Sequence, residues 1–190
     1  KVQRVLYHKG HLSEDKITQL ARNFNRPMGI AFADNYEKLA LACQNEVIQF
    51  KNSEILAKNY PKKPNTYSNI YFPMSTNYTG KLDLHDLSYG TDNKLYAINT
   101  LFSCISTFDN NYNFKSYWKP DFITELKPED RCHLNGMAMK DGKPKYVTAF
   151  STGNTAMSWK KNLTKTGVLI DVETNEIILS GLGMPHTPRF

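Results

Sequence analysis

No stretch of this 190-residue sequence approaches the roughly 18–20 apolar residues that a membrane-spanning helix needs, so no membrane partner is expected. Cysteine is scarce: Cys43, Cys104 and Cys132 are odd in number and show no C-x-x-C spacing. That excludes a disulfide scaffold and a four-thiolate zinc site and fits a reducing compartment. No signal-peptide pattern opens the sequence, whose first residue is Lys1 rather than Met, and cytoplasm is the expected location. Charge of one sign does not gather either. Twenty-four Lys and Arg against 18 Asp and Glu leave +6, but the lysines are scattered, so no nucleic-acid partner is expected. The sequence also lacks a G-x-S-x-G elbow, a phosphate loop, a dinucleotide fingerprint and an EF-hand loop.

Short apolar runs and frequent turns are what it has instead. Ten Gly and nine Pro punctuate runs at Lys38–Cys43, Glu46–Phe50, Lys94–Asn99, Cys104–Phe108, Lys145–Phe150, Gly167–Asp171 and Glu176–Leu179. Each has the length of a strand and is short for a helix. Ser13–Arg22 and Asn154–Lys161 are the helical candidates. The fold class is therefore all-β.

The runs fall into a repeat. Arg26-Pro27-Met28-Gly29, Leu84-His85-Asp86-Leu87, Cys132-His133-Leu134-Asn135-Gly136 and Met184-Pro185-His186-Thr187 open alike. Matching Pro27, His85, His133 and His186 gives spacings of 58, 48 and 53 residues. A period near 50 with four short strands per unit reads as β-propeller blades, each stacking on the next to bury its faces. Blades are expected over about 27–59, 85–120 and 133–182, with a fourth starting at 186. In the first, strands are expected near 27–33, 38–43, 46–51 and 54–59, and 60–81 is expected as an extended connection. Three blades and a start do not close a ring. Either residues 1–24 complete another blade or the sequence is a piece of a longer, incomplete propeller, and the second reading is favoured. Open sheet edges would then favour oligomerisation.

The strings Arg131-Cys132-His133-Leu134-Asn135-Gly136 and Met184-Pro185-His186-Thr187-Pro188-Arg189, with Asn99–Cys104 and Gly167–Val172, resemble an uncharacterised bacterial family of conserved hypothetical proteins with propeller-like repeats. The likeness runs from about residue 20 to the end. The resemblance implies a domain of unknown function and supplies no catalytic residues.

Matched positions on successive blades converge near the axis, so His85, His133 and His186 are the first candidates. Three imidazoles there could bind a divalent metal such as zinc, serving a metal-assisted hydrolase or lyase. They could equally touch a ligand directly, or simply hydrogen-bond a neighbouring blade. Asp86 could orient an imidazole, Asn135 would share a face with His133, and Arg131 and Arg189 could hold a carboxylate or phosphate, or else pair between blades. Trp159, among Lys160, Lys161 and Lys165 in the insertion 151–166, is either a lid over the mouth or a brace for its own blade. The expected function is binding of a small polar or anionic molecule or a peptide at the axial mouth.

Overall fold

The computed structural model describes residues 3–4 and 23–190. The helix expected over Ser13–Arg22 lies outside the described residues, and of the stretch 1–24 only a short pairing of β1 (Gln3–Arg4) with β2 (Asn23–Phe24) is described.

Three four-stranded antiparallel sheets make up the rest, each built from strands consecutive in sequence. The first contains β3 (Ile30–Phe32), β4 (Lys38–Ala42), β5 (Glu46–Asn52) and β6 (Tyr71–Tyr78). The second contains β7 (Leu84–Tyr89), β8 (Leu95–Asn99), β9 (Cys104–Thr107) and β10 (Lys115–Trp118). The third contains β11 (Leu134–Lys140), β12 (Lys143–Ala149), β13 (Gly167–Asp171) and β14 (Ile177–Leu182). Several neighbouring strands are joined by short connections, as at Asp141-Gly142, a two-residue hairpin loop with φ of 50° and 74°, while 53–70 and 150–166 are longer. Both central residues of such a loop need positive φ, which suits Asp-Gly.

The sheets stack as blades. Ala31, Ala40, Ala42 and Val47 of the first sheet meet Leu84, Leu87, Leu95 and Ala97 of the second, small residues against large. Ile98 and Ile105 of the second sheet meet Leu134, Met137, Val147, Val168 and Ile170 of the third. Full burial of each such Leu or Ile contributes about 1.5–3 kcal/mol, so stacking is what makes each sheet stable. β7 packs against β3 on one side and β11 on the other, which makes the first strand of each sheet the innermost. This is a propeller-like array, as the sequence period implies.

The first blade differs from expectation in its outer strand. Residues 54–58 form a short helix, α1 (Glu54–Lys58), with Ser53 Oγ accepting from Leu56 N. The outer strand is Tyr71–Tyr78, from the stretch expected to be an extended connection. Pro73 is tolerated there because an outermost strand leaves one row of backbone groups unpaired, and the pairing shifts between Gln49 and Phe50 beside it.

The repeat register also needs correction. Arg26, Asp83, His133 and Met184 share left-handed φ values of 48°, 56°, 51° and 42°. Two residues after each stand Met28, His85, Asn135 and His186, with spacings of 57, 50 and 51 residues. Neighbouring contacts agree. A Cβ on Gly29 would lie 3.2 Å from Leu87 N, and one on Gly136 would lie 2.6 Å from Thr187 N. Asp86 Oδ2 accepts from Met137 N at 3.1 Å. Asn135, not His133, is thus the partner of His85 and His186 in the repeat. Residues 184–190 run beside β11 in the place of a fourth inner strand.

Candidate functional site

The register decides which side chains meet. His85, at the opening of β7, has Nδ1 2.9 Å from Asp83 O and 2.7 Å from Thr100 Oγ1. Thr100 donates its own hydrogen to Leu134 O at 2.6 Å, so its oxygen must accept from His85. Nδ1 of His85 therefore carries the proton, and Nε2 carries the lone pair. Burial lowers the pKa of His85, and the nearby His133 lowers it further, against the opposing pull of the Asp83 carbonyl and of Asp83 and Asp130.

His133 stands on the turn into β11, where its Nδ1 lies 3.0 and 2.9 Å from the two carboxylate oxygens of buried Asp130. Its ring meets His85 edge-on at 5.0 Å between centroids, Phe150 at 4.4 Å and Trp159 at 4.2 Å. His186 is exposed, with Nδ1 2.7 Å from Met184 O and its ring 5.2 Å from Phe150. Two of the expected imidazoles are brought into contact. Among the described residues the third, His186, is linked to them through the Phe150 ring. Among the described residues no group of three or more His, Cys, Asp or Glu is placed to hold a metal ion, so the structure does not gather His85, His133 and His186 round one centre.

The other candidates have partners that redefine them. Asp86 does not orient an imidazole; its carboxylate accepts from Leu87 N and Met137 N, tying the second blade to the third. Burial raises its pKa, against those two N–H groups and the Arg189 guanidinium. Arg131 is buried, and its guanidinium donates to Glu129 at 2.8 Å and Asn154 Oδ1 at 2.9 Å, with Glu125 3.8 Å away. It serves to anchor the insertion and the preceding linker rather than to receive an anion. Asn135 is buried with an amide Nδ2 that has no partner among the described residues, as has Trp159 Nε1. Trp159 lies in a 3-10 turn, Ser158–Lys161, where the sequence suggests a helix, and its indole packs over His133 with Lys160 Nζ 5.5 Å from the ring.

A cleft of about 360 Å³ lies further along the inner strands. It is lined by three matched triplets, Ile30-Ala31-Phe32, Leu87-Ser88-Tyr89 and Met137-Ala138-Met139, and by Arg189 and Phe190. Among the described residues β3, β7 and β11 each pair with another strand on one side only, and the free edges of β7 and β11 are partly taken by the Asp86 carboxylate and the Arg189 guanidinium. Arg189 Nη1 donates to Met137 O at 2.9 Å and lies 3.6 Å from Asp86 Oδ2. The two form an ion pair whose guanidinium remains largely exposed.

Sequence reasoning missed Asp130, Thr100 and Phe150. Asp130 is signalled only by its i, i+3 spacing from His133, and Thr100 and Phe150 by their common place one residue after β8 and β12. Cys132 is sealed in the core, and burial pushes its thiol up to about 12.

Comparison with known proteins gives the following. The model of a domain of unknown function, DUF4915, matches residues 3–190. No curated protein matches the chain. Among solved structures, the chain is similar to virginiamycin B lyase from Staphylococcus aureus at 11% identity, covering 94% of this chain and 52% of that one, with a TM-score of 0.43. A protein of unknown function from Bacteroides thetaiotaomicron matches at 9% identity over 90% and 46% of the two chains, with a TM-score of 0.46. A luciferin-regenerating enzyme matches at 9% identity over 92% and 53%, with a TM-score of 0.44. The chain spans about half the length of these structures.

Proposed function

The chain belongs to the DUF4915 family, a domain of unknown function, and from that premise we propose that it is a propeller-like binding module for a small polar or anionic ligand, or for the acidic end of a peptide. The observation that supports this is the convergence of three matched inner-strand triplets and Arg189 on one cleft. Ile30, Phe32, Met139 and Phe190, which are partly or largely exposed, supply apolar surface. Strand-edge N–H and C=O groups other than those already held by Asp86 and Arg189 supply further donors and acceptors, and Arg189 supplies the charge that favours an anion.

The test is calorimetric titration with citrate, inorganic phosphate and a short acidic peptide. At least one should bind, and Arg189→Ala should weaken it tenfold or more, since a charge-assisted hydrogen bond contributes about 1.5–3 kcal/mol. Binding unaffected by that substitution, or no binding of any of the three, would contradict the reading.

A further inference from the structure

The imidazole pair has a geometry that the cleft does not require. Nδ1 of His85 is held by Asp83 O and Thr100, and Nδ1 of His133 by Asp130. Each ring therefore turns Nε2 away from its anchor. Neither Nε2 has a hydrogen-bond partner among the described residues, and neither is a sealed, unpaired atom such as those of Asn135 and Trp159. Two imidazoles in edge contact thus each keep an Nε2 lone pair without a partner among the described residues.

Among the described residues no free side-chain nucleophile stands beside them. Thr100 has its hydrogen committed to Leu134 O, and Cys132 is buried in its thiol form. A water molecule, with two hydrogens to donate, matches two acceptors. We propose that His85 and His133 are a water-activating pair that hydrolyses a small carboxylic ester. The water donates one hydrogen to each Nε2. Its oxygen attacks the acyl carbon while one proton passes to Nε2 of His133, and the buried Asp130 carboxylate balances the imidazolium that forms. The tetrahedral intermediate then expels the alkoxide, breaking the acyl C–O bond, and the proton on His133 goes to the leaving oxygen. The products are a carboxylic acid and an alcohol, and water is the only co-reactant. Trp159 and Phe150 wall His133 and limit bulk water. Asp130 is a positioning residue in this scheme; His85 and His133 are catalytic. The inference is independent of the cleft.

The experiment measures hydrolysis of p-nitrophenyl acetate by the full chain, against free imidazole at the same concentration. The wild type should exceed free imidazole, and His133→Gln should lose about 100-fold, in line with removal of a general base. His85→Gln should lose tenfold or more, and Asp130→Asn should lower kcat with KM unchanged. Near-UV circular dichroism checks that each variant is folded. If His133→Gln fails to fold, His85→Gln and Asp130→Asn carry the test. A wild-type rate no greater than that of free imidazole, or full activity in any folded variant of His85 or His133, would overturn the proposal.

Discussion

Asp86 ties the second blade to the third through a buried polar side chain. Replacing it with alanine leaves two N–H groups, Leu87 N and Met137 N, without the acceptors they have at 3.0 and 3.1 Å. Each buried donor left unpaired costs about 1–3 kcal/mol. Against that stands the relief of a carboxylate whose pKa burial has raised. The net loss should be about 1–3 kcal/mol, and Asp86→Asn, which keeps one acceptor, should lose less than about 1 kcal/mol. Urea unfolding gives both numbers, and thermal unfolding should fall by roughly 2–4 °C per kcal/mol in a chain of this size. The pH dependence has a definite sign. A carboxyl whose folded pKa is raised binds its proton more tightly in the native state. Its contribution is therefore fully present below the unfolded value of 3.8 and is lost as pH rises through the folded value. Asp86→Asn lacks this term, so wild type should lose stability relative to it across that window. If Asp86→Ala matches wild type within about 0.5 kcal/mol, the carboxylate does not bridge the blades.

Gly136→Ala should destabilise the chain by about 1–3 kcal/mol, because its Cβ would lie 2.6 Å from Thr187 N and 2.9 Å from Pro188 Cδ. Gly29→Ala, whose tightest contact is 3.0 Å to a Leu87 side-chain carbon, should be milder; denaturant titration of both variants checks the order. Thr100→Val removes the acceptor for His85 Nδ1 and the donor to Leu134 O, and should lose about 1–2 kcal/mol in the same assay. All three thiols are buried, with Cys43 pushed up to about 11 and Cys132 to about 12, so a thiol reagent should label the native chain far more slowly than the urea-unfolded one.

Much of the fold is legible in the sequence because each strand is short, apolar and bracketed by turn residues. The run Gly167–Asp171 coincides with β13, and Lys94–Asn99 with β8 to within one residue. The first blade is misread at its edge for two local reasons. Ile55 and Leu56 look like strand residues, but Ser53 caps a single helical turn that leaves both exposed. Pro73 argues against a strand in general but not against an outermost one. The site is less legible because matching by residue identity aligns His133 with His85, whereas the backbone aligns Asn135 with it. Left-handed φ at Asp83, His133 and Met184 cannot be read from side chains that are not glycine. Asn135-Gly136 beside Met28-Gly29 is the sequence signal that carries the true register. Likewise Arg131 reads as a free anion binder until Glu129 and Asn154 are seen to hold it.

The side-by-side register of the inner strands underlies both the cleft and the imidazole pair, and the Met137 amide reports it directly. NMR titration of the full chain should show the Met137 amide proton moving with the ionisation of Asp86, fifty-one residues away in sequence, at a pH above the ordinary carboxyl value of 3.8. A Met137 amide that stays flat while Asp86 titrates would mean that β7 and β11 do not meet in this register, and both sites would fall with it.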